Sequence, residues 1–102
     1  MPGPIAVADL GTNSTRLLIA RPAPGGGLEQ MTRTTTVTRL GEGVDQSGRL
    51  SDAAMERVHA ALAEYAALAD EHGAEWRIAV ATSAVRDATN GEEFRAAVQE
   101  RH

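Results

Sequence analysis

Two short apolar runs near the start of the chain, residues 5–10 and 16–21, have strand length, and only residues 11–15 separate them. So short a connection returns the second run beside the first, which makes the two antiparallel neighbours in one sheet. The second run sets Leu17 and Ile19 on one face and Leu18 and Ala20 on the other. The next stretch, PAPGGG at residues 22–27, is a turn by composition. Residues 28–40 are rich in threonine and carry no Gly or Pro, so they read as a third strand with one wet face. Two hairpins in a row give an antiparallel meander.

The pattern then changes period. Gly41, Gly43 and Gly48 break the strand, and Ser51 stands as an N-cap with Asp52 in the first turn, where the helix dipole favours an acid. Met55, Val58, Leu62, Tyr65 and Ala69 recur every three or four residues, forming the apolar stripe of an amphipathic helix that Gly73 ends. Trp76, Ile78 and Val80 alternate with Arg77 and Ala79, so residues 75–82 read as a strand. Asn90 with Glu93 three positions later has the spacing of a capping box, and Phe94, Ala97 and Val98 form the buried stripe of a closing helix. The order is β-β-β-α-β-α. The strand–helix–strand connection permits parallel pairing. This is the α/β opening of a ribonuclease-H-like layer, the core of the actin, Hsp70 and sugar-kinase superfamily. A complete layer continues with at least one more strand and helix, so the chain is expected to be incomplete at its C-terminus.

Charge narrows the partners. With a net charge of −4 the chain lacks the basic face that nucleic acid demands, while a small phosphorylated ligand needs only a few local donors. No cysteine is present, so disulfides and thiolate metal sites are excluded. No apolar run approaches the length of a membrane span, and the start MPGPIAVADL lacks a basic leader, so cytoplasm is the expected compartment and no membrane partner is expected.

The turn between the first two strands carries more than a hairpin requires. In DLGTNSTRLLIA, Asp9 ends a strand, Gly11 permits close backbone approach, and Thr12, Asn13 and Ser14 add donors. Successive N–H groups in such a turn form an anion nest, and Arg16 supplies a fork suited to phosphate oxygens. Asp9 can hold Mg²⁺ or its water, since hard cations take carboxylate oxygens. A plain hairpin with a solvated acid and an exposed arginine satisfies the same residues. A second stretch, ATSAVRDATNGEEF, places Thr82, Ser83 and Arg86 at a strand's carboxyl end, where open α/β layers bind ligands. The alternative is that Ser83 caps a turn and Arg86 pairs with Asp87.

In this order and spacing, DLGTNSTRLLIA, RLGEGVDQSGRLS and ATSAVRDATNGEEF resemble the exopolyphosphatase / guanosine pentaphosphate phosphohydrolase (Ppx/GppA) family over nearly the whole chain. The middle segment separates it from sugar kinases, which share only the Asp-x-Gly-Thr start. The resemblance implies an actin-like fold and Mg²⁺-dependent hydrolysis of terminal phosphoanhydride bonds in polyphosphate or guanosine pentaphosphate, by a homodimer. It makes Asp9 the metal- or water-holding acid and Gly11, Thr12, Asn13 and Ser14 the first phosphate loop. Arg16 falls where relatives carry Arg or His. Thr82, Ser83 and Arg86 line the phosphate path, and Gly41, Gly43 and Gly48 belong to a structural motif. The family's Glu-rich segment with the general base, its second phosphate loop and its second lobe would lie beyond His102. Residues 1–102 are thus expected to be the N-terminal part of the first lobe, with little activity alone. A sugar- or acetate-kinase lobe and a non-enzymatic phosphate-binding module are the competing readings.

Other residues are assigned bland roles. His59, His72 and His102 show no metal-ligand pattern, and the first two are expected to be solvated. Trp76 and Tyr65 are expected to pack, and Glu92, Glu93 and Glu100 to be surface acids.

Overall fold

Alternation along the first two strands decides which face of the sheet is covered. In the computed structural model, which describes residues 3–81 and 83–101, strand β1 (Ile5–Leu10) buries Ala6, Ala8 and Leu10 and turns Asp9 outward. Strand β2 (Ser14–Pro22) buries Thr15, Leu17 and Ile19 on the same side. The pairing with β3 (Leu28–Val37) skips Met31 between Ile19 and Ala20, while β2 keeps unbroken register with β1, so Ala20 shares the opposite face with Leu18 and is nonetheless buried. Strand β3 pairs antiparallel with β2, and only Met31, Thr32, Thr34 and Thr36 on it are half-buried, as a threonine-rich strand with one wet face requires.

The helix α2 (Asp52–Glu71) lies over the buried face through Ala54, Val58, Ala61, Leu62, Tyr65 and Ala69. Ser51 caps it by accepting the Ala54 N–H at 3.1 Å. Its last turn closes where Gly73 predicts, with the Ala74 N–H on the Ala69 carbonyl at 2.8 Å and the Gly73 N–H on the Asp70 carbonyl at 3.1 Å. Strand β4 (Trp76–Ala81) then pairs parallel to β1, from Ile5 opposite Trp76 to Leu10 opposite Ala81. The described strands therefore run β3-β2-β1-β4, an antiparallel meander followed by a parallel crossover. No helix among the described residues is long and apolar enough to cross a membrane.

Two single-turn helices were not foreseen. Helix α1 (Val44–Ser47) sits between Gly43 and Gly48, and α3 (Ser83–Asp87) follows β4 directly. Neither is long enough to display a periodicity. The last helix, α4 (Gly91–Arg101), buries Phe94 and Val98 as expected. It packs on α2, where Phe94 meets the edge of the His59 ring at 5.4 Å and Arg101 reaches Glu56 at 3.5 Å. His59 is therefore buried, against the expectation of a solvated side chain, because α4 covers that side of α2. His72 is half-buried, with Nδ1 2.9 Å from the Leu68 carbonyl, and His102 lies outside the described residues. Trp76 also departs from expectation. It is 65% exposed, and Ile78 and Val80 are exposed beside it, since all three occupy the sheet face opposite α2 on the outer strand.

Asn90 does not build the expected capping box. Its Oδ1 accepts the Leu50 N–H at 2.8 Å and its Nδ2 donates to the Leu50 carbonyl at 3.0 Å, so the side chain clamps a backbone unit forty residues away in sequence. Leu50 is fully buried, and removal of the amide would strand both of its backbone groups. Asn90→Ala is expected to cost about 2–4 kcal/mol, read as a lower denaturation midpoint at unchanged slope.

Candidate functional site

At the carboxyl end of β1, six of the described residues line a cleft of about 240 Å³: Asp9, Gly11, Thr12, Asn13, Ser14 and Arg16. The register of the sheet brings the acid and the arginine there. Asp9 and Arg16 are direct cross-strand partners on the exposed face of β1 and β2, so the hairpin holds both charges beside its own turn. Among the described residues neither side chain has a hydrogen-bond or ion-pair partner within the chain. Both are open to solvent, as are Thr12 and Asn13.

The loop owes its shape to its own closure and to the segment that follows β3. The Gly11 N–H donates to the Ser14 carbonyl at 2.9 Å. A Cβ at position 11 would lie 2.5 Å from that same oxygen, so the glycine is required by the turn itself and not only by the approach of a ligand. The Thr12 carbonyl accepts from the Gly41 N–H at 2.9 Å, and the Asn13 carbonyl accepts from the N–H groups of Thr38 and Arg39 at 3.2 and 3.0 Å. A Cβ on Gly41 would collide with the Thr12 side chain. The glycine-rich segment thus has the structural role expected of it at Gly41: it is the wall against which the loop rests.

A polar network lies beneath the loop. Thr15 Oγ1 and Thr38 Oγ1 are 2.8 Å apart and both residues are fully buried. Tyr65 Oη donates to the Thr15 carbonyl at 2.8 Å and lies 2.8 Å from Thr36 Oγ1. Tyr65 is core as expected, but its hydroxyl ties α2 to both β2 and β3. The sequence signal was present in the apolar stripe, where a tyrosine demands a partner for its hydroxyl when buried.

The second stretch is brought to the same end of the sheet, and its described residues do not line the cleft. Leu10 and Ala81 are register partners in parallel strands, so the loop after β1 and helix α3 after β4 leave the sheet side by side. Arg86 lies exposed in the last turn of α3 and, among the described residues, forms no ion pair with Asp87. Thr82 lies outside the described residues, and of Ser83 only the backbone is described. A larger cleft of about 450 Å³, between the sheet and the helices, is lined by apolar residues such as Ala6, Leu17, Leu62 and Val98 and holds none of these candidates.

The donor set bears on a metal. No cluster of three His, Cys, Asp or Glu side chains occurs among the described residues. Mg²⁺ does not require one: it keeps several waters and takes one or two carboxylates together with substrate phosphate oxygens. A single solvated carboxylate beside the loop of the cleft fits that habit.

A hairpin loop and a helix start, set together at the carboxyl ends of parallel strands in a β3-β2-β1-β4 sheet, define the actin-like, ribonuclease-H-like class. Residues 18–102 match the Ppx/GppA phosphatase family, and the chain belongs to it. It is 46% identical over 93 residues to exopolyphosphatase 2 of Mycobacterium tuberculosis, covering 88% of this chain and 29% of that protein. It is 37% identical over 89 residues to the guanosine-5'-triphosphate,3'-diphosphate pyrophosphatase of Aeromonas hydrophila, covering 87% of this chain and 18% of that one. The crystal structure of the type II variant of the Aquifex aeolicus Ppx/GppA phosphatase superposes with a TM-score of 0.90 at 37% identity, over 97% of this chain and 33% of that one. The chain thus spans a third or less of the length of each of these relatives.

Proposed function

We infer that these residues form the first-lobe part of a phosphoanhydride hydrolase that releases terminal phosphate from inorganic polyphosphate or guanosine pentaphosphate. The observation that carries this reading is the cleft at the end of β1, where the register places Asp9 opposite Arg16 around a loop of backbone and side-chain donors. The names of the relatives support the substrate class. In the proposed division of labour, the loop and Arg16 receive phosphate oxygens, and Arg86 meets the polyanion where it leaves the cleft. Asp9 would hold Mg²⁺ or its water, and the ion when bound would supply neutralisation of phosphate charge. Asp9 and Arg16 are cross-strand partners, so the sheet fixes the spacing of their backbones before a ligand arrives, and only the side chains remain to be ordered.

Hydrolysis also requires a base for the water and charge stabilisation on the far side of the phosphate. Among the described residues Asp9 is the one acid that lines the cleft, and no second acid stands there to serve as a base. The 102-residue chain is therefore expected to release no measurable phosphate from polyphosphate, whereas a full-length enzyme carrying it releases label as free phosphate. Terminally labelled polyphosphate, assayed with and without an acceptor, checks both. Mg²⁺-dependent release by the short chain would overturn the two-sided requirement. Transfer of label to an acceptor would assign the segment to a kinase instead.

A further inference from the structure

We propose that Arg57, on α2 and outside the cleft, is a positioning residue that sets the conformation of the phosphate loop through the backbone of Thr38 and Arg39. This rests on the phosphate-binding reading of the loop. The Arg57 Nε–H donates to the Thr38 carbonyl at 2.7 Å, and a terminal N–H reaches the Arg39 carbonyl at 3.4 Å. Arg39 is held in the left-handed region, at φ 51°, where a residue with a side chain rarely rests unaided. That turn delivers two consecutive N–H groups, of Thr38 and Arg39, onto the single carbonyl of Asn13. Gly41, two residues on, takes the Thr12 carbonyl. A trans peptide points its N–H opposite its C=O. Fixing the Thr12 and Asn13 carbonyls therefore fixes the direction of the Asn13 and Ser14 N–H groups, which are the backbone donors of the loop. Arg57 stands at the base of this relay, on the longest helix of the described fold, and its guanidinium spans the two carbonyls that flank the left-handed turn. Its ion pair with Glu42, at 3.6 Å and well exposed, is secondary.

The test uses the 102-residue chain with inorganic tripolyphosphate as the probe and has two independent readouts. Arg57→Met keeps the aliphatic stem and removes both donors. It is expected to weaken tripolyphosphate binding about tenfold and to speed amide exchange at Thr38, Arg39 and Gly41 while leaving exchange in the β1–β2 ladder unchanged. Arg57→Lys, which keeps one donor and the charge, should fall between the two. Arg95→Met removes one positive charge from an exposed position on α4 and should stay within about twofold of the parent, since an exposed charge away from the ligand is largely screened. Unchanged exchange at the three amides in folded Arg57→Met overturns the proposal, and so does an equal loss of affinity in Arg95→Met. If the parent chain itself takes up no tripolyphosphate, the phosphate-binding reading has failed, and the exchange rates alone decide whether Arg57 braces the loop.

Discussion

Asp9→Asn in a full-length enzyme carrying this segment is expected to lower Mg²⁺-dependent turnover by roughly a hundredfold or more, the scale seen when one preorganised electrostatic group is removed from an active site. Asparagine keeps the size and one acceptor oxygen but loses the charge that holds a hard cation. The fold should be untouched. Asp9 is exposed at the end of β1, and among the described residues its side chain has no partner to lose. Far-ultraviolet circular dichroism and the thermal midpoint should therefore match the parent. Ser14→Ala should do less, because the Ser14 carbonyl that closes the turn onto the Gly11 N–H survives the change, as do the backbone donors. The ordering is the decisive result. If Ser14→Ala proves the more damaging, or Asp9→Asn keeps normal metal-dependent turnover, Asp9 is not the anchor on the metal side.

What was legible in the chain follows the physics of each signal. The meander, the crossover helix and the returning strand each declare themselves through period; the strand–helix–strand connection permits parallel pairing but does not name β1 as the partner of β4. Ser51 caps α2 as its position requires. The loop residues of the cleft were legible because small polar residues and an acid between two strands exceed the needs of a hairpin. The errors have a common origin: they concern contacts between elements distant in sequence. Nothing local says that α4 will cover His59, that Asn90 will serve Leu50 instead of its own helix, or that the outer face of β4 will leave Trp76 in solvent. The brace behind the loop was hidden for the same reason. Arg57 lies on the polar side of an amphipathic helix, where arginine is unremarkable until the positions of Thr38 and Arg39 are known.

Arg86→Ala is the second large effect expected in a full-length enzyme, and it tests a residue outside the described lining of the cleft. A guanidinium–phosphate bond is charge-assisted and contributes roughly 1.5–3 kcal/mol, or about ten- to a hundredfold in kcat/KM. Arg86 sits one short helix beyond β4, on the side of the sheet end where the loop after β1 also emerges, and its side chain is exposed. The surface reading of this residue needed an ion pair with Asp87, and none forms among the described residues. Glu100→Ala is the matched control. It lies exposed near the end of α4, at the far end of that helix from α3. Arg86→Ala should lose more of kcat/KM on long polyphosphate than Glu100→Ala, with both variants unfolding near the parent midpoint. The loss should shrink as ionic strength rises in the parent, because screening weakens the contact that the mutant already lacks. Folded variants of equal and undiminished kcat/KM would make Arg86 a solvated side chain, and the phosphate path would then be confined to the six residues of the hairpin cleft.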